Sequence, residues 1–141
     1  METSKKLIVR TTVQTPVEIV WAYWTDPTHI TQWNNASDDW HTPFAENDLR
    51  AGGKFLSRME AKDGSFGFDF GGTYDEVQLH KVIAYTLGDG RKVKIIFKGY
   101  ENETKVIETF DAETTNPIEL QQQGWQAILD NFKKYTEQET V

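Results

Sequence analysis

A chain of 141 residues is long enough to bury about 70% of the surface its unfolded form exposes, and it has no cysteine, so disulfides, thiol catalysis and thiolate zinc sites are excluded, which fits a reducing compartment. A net charge of −7, with lysines scattered among acids, opposes binding to phosphate backbones, and no stretch is apolar for long enough to insert into a membrane. The opening METSKKLIVR is charged and lacks the apolar run of a signal peptide, so the expectation is a cytoplasmic protein of one domain, residues 1–141.

Leu7, Val9, Thr11 and Val13 alternate with Ile8, Arg10, Thr12 and Gln14, the period of a half-buried strand. Thr15-Pro16-Val17-Glu18 reads as a capping box opening a helix through Tyr23 or Trp24, with Val17, Val20, Trp21 and Trp24 on its buried side. Asp26-Pro27 starts a second short helix to about Gln32, closed by Trp33. From Asn34 to Gly53 the period is lost, which predicts a long loop holding Trp40, His41 and Phe44, with a short strand near Pro43 to Asn47.

After Gly52-Gly53 the pattern becomes an antiparallel meander: Lys54 to Glu60, Ser65 to Leu79, Lys81 to Leu87, Arg91 to Tyr100 and Thr104 to Phe110. Gly71-Gly72 is expected to bulge or bend the longest of these strands. Asn116, Pro117 and Glu119 open a final helix that runs to Gln138. Ile118, Gln121, Trp125, Ile128, Phe132 and Tyr135 recur at three and four and form its buried stripe. Burying the apolar members fully is worth roughly 1.5 to 3 kcal/mol each. Gly124, inside that helix, costs about 1 kcal/mol relative to alanine, which predicts close approach to a neighbouring element. The order β-α-α-β-β-β-β-β-β-α defines an α+β chain with helices on one face of a curved antiparallel sheet of six to seven strands.

VQTPVEIVWAYWTDP, GGTYDEVQLHKVIAYT, ETFDAE and LQQQGWQAILDNFKKYTE together resemble the START-like SRPBCC superfamily. More narrowly, they resemble its bacterial branch similar to the C-terminal domain of the activator of heat shock protein 90 ATPase. The likeness covers nearly the whole chain, and GWQAILDNF is its most specific part; Gln78 departs from it, standing where such proteins often have a proline. The resemblance implies a helix-grip fold, also birch-pollen-allergen-like, in which the sheet wraps a long C-terminal helix around a cavity. That fold hosts lipid carriers, polyketide cyclases, hormone receptors and co-chaperones, so it does not by itself define a function.

Aromatic residues make up 13% of the chain, and many fall on one expected face of the meander. The expected cavity wall is Phe55, Phe66, Phe68, Phe70, Tyr74 and Phe97 from the sheet with Trp125 from the helix. Gln121 and Glu108 are its orienting polar groups, and Trp33 and Trp40 stand at its mouth, with His41 and Phe44 on the same loop as a lid. For Gln121 the alternative is a solvated side chain, for Glu108 a twist toward Lys94 or Lys98, and for Trp33 and Trp40 a role as core plugs with His41 exposed. Glu108 alternates in phase with Val106 and Phe110, so an inward carboxyl would have a raised pKa.

No catalytic residue and no cofactor is nominated. His29, His41 and His80 lie on different elements without ligand spacing, so no metal site is expected. The leading expectation is a non-enzymatic protein, monomer or dimer, that binds a small apolar or aromatic molecule in the cavity. The alternatives are a co-chaperone-like partner of a heat-shock ATPase, which the resemblance alone implies, and a small cyclase or hydrolase using Glu108, His41 or Tyr74.

Overall fold

The computed structural model describes residues 5–139; residues 1–4 of the charged opening, and both ends of the expected 1–141 domain, lie outside them. The alternating pattern at the start becomes β1 (Lys6–Val13), with Leu7, Val9 and Val13 buried and Lys6, Ile8 and Arg10 exposed. Two short helices follow, α1 (Val17–Thr25) and α2 (Pro27–Trp33). Six strands come next: β2 (Trp40–Asn47), β3 (Lys54–Ala61), β4 (Gly67–Gln78), β5 (Val82–Leu87), β6 (Lys92–Gly99) and β7 (Thr104–Asp111). The last element is the long helix α3 (Ile118–Glu139). All seven strands form one antiparallel sheet in the order β1-β7-β6-β5-β4-β3-β2, so the architecture and element order are those read from the sequence.

Pairing registers lay the inner face out in rows. One runs Leu7, Phe110, Val93, Tyr85, Tyr74 across five strands, and the next runs Val9, Glu108, Ile95, Ile83, Val77. Tyr74 and Val77 are three residues apart on β4 while Tyr85 and Ile83 are two apart on β5. The extra residue, Asp75, is therefore a bulge that re-phases the end of β4. This corrects the bend expected at Gly71-Gly72, which pair regularly. Those glycines instead allow close approach: a Cβ on Gly71 would stand 2.6 Å from the Phe55 carbonyl oxygen, and one on Gly72 would strike that of Thr86.

Other expectations change. The short strand expected near Pro43 to Asn47 is longer, β2 beginning at Trp40 within the predicted loop, and it is an edge strand whose register slips between His41 and Phe44. That slip destroys the two-residue period, and Pro43 is tolerated because the strand has a free edge. The capping box at Thr15 does not form. Pro16 is the N-cap of α1 without a side-chain bond, while Thr15 is buried and its carbonyl accepts from the Thr104 hydroxyl. At Asp26 the expected cap is present, its carboxylate accepting from the Thr28 amide.

The stripe of α3 is rotated slightly from the one expected. Gln121, Leu129, Phe132 and Thr136 are buried, whereas Ile118, Trp125, Ile128 and Tyr135 are half-buried. Gly124 has nothing within 4 Å of where a Cβ would sit, so no close approach explains it.

The flank of α3 closes the free edge of β1. Gln122 donates to the Ile8 carbonyl, Gln126 to that of Arg10 and Lys133 to that of Thr12, while the Glu137 carboxylate accepts from the Gln14 amide. Gln122 to Gln126 and Lys133 to Glu137 each span four helical residues, about 6 Å, against two strand residues, about 6.8 Å, so each pair stays nearly in step with the strand. Side chains thus satisfy carbonyls that would otherwise template another strand.

Candidate functional site

The C-terminal half of α3 packs tightly. Phe132 meets Trp24 and Trp33 edge-on at 4.8 and 4.9 Å between centroids, and Trp33 donates its indole N–H to the Tyr23 carbonyl. Toward its N-terminal half the helix and sheet part, and a cavity of about 380 Å³ opens between them. Its helical wall is Gln121, Trp125 and Ile128, with Trp24, Ile30 and Trp33 closing one end. From the sheet come Phe55, Ser57, Phe70, Tyr74, Tyr85 and Glu108. Phe68, 42% exposed, and the exposed Glu46 and Asn116 also line it, which places the mouth between β2, β4 and the start of α3.

The rings fix one another. Trp125 lies flat on Phe110, 3.9 Å between centroids and 8° between planes, and meets Phe70 edge-on at 6.1 Å. Phe55 stands edge-on to Tyr85 at 4.6 Å and 5.2 Å from Tyr74. Such pairs contribute about 0.5 to 1.5 kcal/mol beyond their buried area, so the wall is held open by ring-to-ring contact.

Polar groups in the wall divide into those with partners and those without. Gln121 is fully engaged: its carbonyl oxygen accepts from the Glu113 amide, and its amide donates to the carbonyls of Glu113 and Asn116. It is neither solvated nor free to orient a ligand; it ties the loop before α3 to the first turn of the helix. Tyr74 donates to the Asn47 side chain at 2.6 Å, and burial raises its pKa. Glu113 accepts from the amides of Thr115 and Asn116 and from the Asn116 side chain, which keeps its carboxyl below the usual range.

Glu108 differs. It is 6% exposed, occupies the same inner row as Val9 and Ile95, and does not turn toward Lys94 or Lys98. Among the described residues its carboxyl has no hydrogen bond or ion pair, and burial alone pushes its pKa up to about 8. The Tyr85 hydroxyl is likewise without a protein partner among the described residues, and its pKa is raised by burial first and by the Glu108 charge second. Among the described residues Arg91 is the one basic side chain at the wall, and its Nε is 2.7 Å from Asp89 Oδ2.

Of the residues expected at the site, Trp33, Phe55, Phe68, Phe70, Tyr74, Glu108, Gln121 and Trp125 come together around this space. Phe97 is buried elsewhere, against Trp21 and Trp24 beneath α1. Phe66, 63% exposed, joins Trp40 and Phe68 in a surface cluster on β2 and the β3–β4 turn. His41 lies on β2 with Nε2 3.9 Å from a Glu60 carboxylate oxygen, away from the cavity. Tyr85, Ser57 and Asn47 were missed. Tyr85 alternates in phase with Ile83 and Leu87, a signal present in the sequence, whereas Asn47 is placed by pairing of a strand whose period is broken. No group of three or more potential metal ligands occurs among the described residues.

A seven-stranded antiparallel sheet gripping a long C-terminal helix, with an aromatic cavity where the two separate, defines the helix-grip class. The model of the family described as Activator of Hsp90 ATPase homolog 1-like protein matches residues 14–137, and the chain belongs to that family. It is similar to the AHSA1-like protein from Aeromonas hydrophila, known from a solution NMR structure, at 45% identity over 96% of this chain and 94% of that one, with a TM-score of 0.90. A Cytophaga hutchinsonii protein, also solved in solution, shares 55% identity over 96% and 94% of the two chains, with a TM-score of 0.82. A crystal structure from Nitrosomonas europaea, at 19% identity, covers 99% of each chain with a TM-score of 0.82 and shares the fold. Among curated proteins none matches.

Proposed function

We propose that this chain is a single-domain cytoplasmic protein, monomer or dimer, that binds a small apolar or aromatic molecule between the sheet and α3 without transforming it. The observation that carries this reading is the cavity of about 380 Å³, within the range of small-molecule sites, whose wall combines stacked rings with a buried carboxyl that no group among the described residues satisfies. Close packing is the rule in protein interiors, so such a space is maintained at a cost in stability. Membership of a helix-grip family supports the reading, and no helix among the described residues is long and apolar enough to cross a membrane. Native mass spectrometry of freshly purified protein, with solvent extraction of what is released, tests it. The expected result is a small adduct lost on unfolding and absent from Ser57→Phe, which places a ring in the space; an adduct that Ser57→Phe retains would refute it.

A second reading, partnership with a heat-shock ATPase, is favoured by the family description and by the surface cluster of Trp40, Phe66 and Phe68. Exposed aromatic groups of this kind suit protein contacts. It predicts that Phe66→Ser abolishes stimulation of the chaperone's ATPase while leaving the cavity's ligand in place.

A further inference from the structure

Resting on the reading that the cavity holds a small molecule, we propose that its ligand is an organic cation: an amine carried on an aromatic or apolar body, with its ammonium group seated against Glu108 and the Tyr85 hydroxyl.

Geometry, chemistry and charge converge on this class. Glu108 is the one acidic side chain at the wall that is both buried and without a partner among the described residues; Glu46 is exposed and Glu113 is engaged by its own loop. Tyr85, two strands away on the inner face and lining the same cavity, lies within reach of the Glu108 charge and offers a hydroxyl oxygen as a second acceptor. Around the pair stand Phe55, Phe70, Tyr74 and Trp125, whose π faces attract cations when water is excluded. Arg91, the only basic side chain at the wall among the described residues, already pairs with Asp89, so an anion entering would meet an occupied guanidinium and the acidic side chains of Glu46 and Glu113. The net charge of −7 further raises the concentration of cations near the mouth. An ammonium group is the partner that converts an unpaired buried carboxyl into a charge-assisted hydrogen bond.

Proton linkage follows from the same arrangement. The ionisable groups facing Glu108 are Tyr85 from β5, Tyr74 from β4, Arg91 before β6, Glu46 from β2 and Glu113 before α3. From β1, β3 and the three helices no ionisable described side chain lines the space. Since burial holds the Glu108 carboxyl protonated up to about pH 8, a cation entering at neutral pH displaces that proton.

Calorimetric titration of the full chain with phenethylamine, phenethyl alcohol and phenethyltrimethylammonium provides the test. The amine is expected to bind at least about tenfold more tightly than the alcohol. Affinity for the quaternary ion, which cannot titrate, should rise about tenfold per pH unit between pH 6 and 8 and level off above. Glu108→Gln, with its fold checked by the amide NMR spectrum, should abolish the preference for the amine and the pH dependence. Equal binding of amine and alcohol, or an amine preference that survives Glu108→Gln, overturns the cationic assignment and leaves the cavity reading standing. Failure of all three probes to bind overturns both.

Discussion

Replacing Glu108 with glutamine removes a carboxyl buried in a largely apolar wall, and the energetic consequence has a definite dependence on pH. Burial moves the carboxyl from its ordinary value of 4.5 to about 8. Each unit is worth 1.36 kcal/mol, so ionising Glu108 in the folded state costs on the order of 5 kcal/mol relative to the unfolded chain. Because the folded pKa is raised, the folded state binds the extra proton between pH 4.5 and about 8, and stability falls as pH rises through that window. At pH 7 about 3 kcal/mol of the penalty is already present. Glutamine keeps the shape and cannot ionise; its own desolvation adds a constant that does not vary with pH. The stability of Glu108→Gln minus that of the wild type should therefore climb by roughly 1.4 kcal/mol per pH unit between pH 5 and 8 and flatten above. Urea unfolding of both proteins from pH 5 to 9 measures the difference, in which contributions from distant groups cancel. A difference that stays level with pH would refute the claim that this carboxyl is buried and unpartnered.

Gly124→Ala should stabilise the protein by about 1 kcal/mol, or about 3 °C in thermal unfolding, because the added methyl meets open space in the middle of α3. Gln121→Ala removes three hydrogen bonds to the loop before α3 and should cost about 1 to 3 kcal/mol in urea unfolding, with faster amide exchange at Glu113. Gln122→Leu combined with Gln126→Leu uncovers the Ile8 and Arg10 carbonyls of the edge strand, and light scattering should show association that increases with concentration.

Most of the architecture was legible because hydrophobic period and turn chemistry agreed along the chain: the five meander strands, the Asp26 cap and α3 appear within a few residues of their expected ends. Where one residue breaks the period, the signal fails. The slip between His41 and Phe44 leaves only the second half of β2, near Pro43 to Asn47, legible, and the bulge expected at Gly71-Gly72 lies at Asp75. On α3, Leu129 escaped notice because a helix flanked by both a sheet and two other helices buries more than one narrow stripe.

For the site, the inward phase of Glu108 and the ring positions on β3 and β4 could be read from alternation alone. The division of labour among the polar groups could not. Gln121 is expected as an orienting group, but its amide is held by three backbone partners, and Tyr85 lines the cavity without having been singled out. Both depend on which groups lie opposite across the fold, information that local spacing does not carry.

The central claim is that the separation of sheet and α3 is a binding site. An amide and side-chain NMR map of the protein during titration with small aromatic molecules, phenethylamine first, tests it most directly. The account predicts that the largest shifts fall on Phe70, Tyr85, Glu108 and Trp125 and saturate together with a single affinity. Shifts that are absent there, or confined to the surface cluster of Trp40 and Phe66, would contradict it.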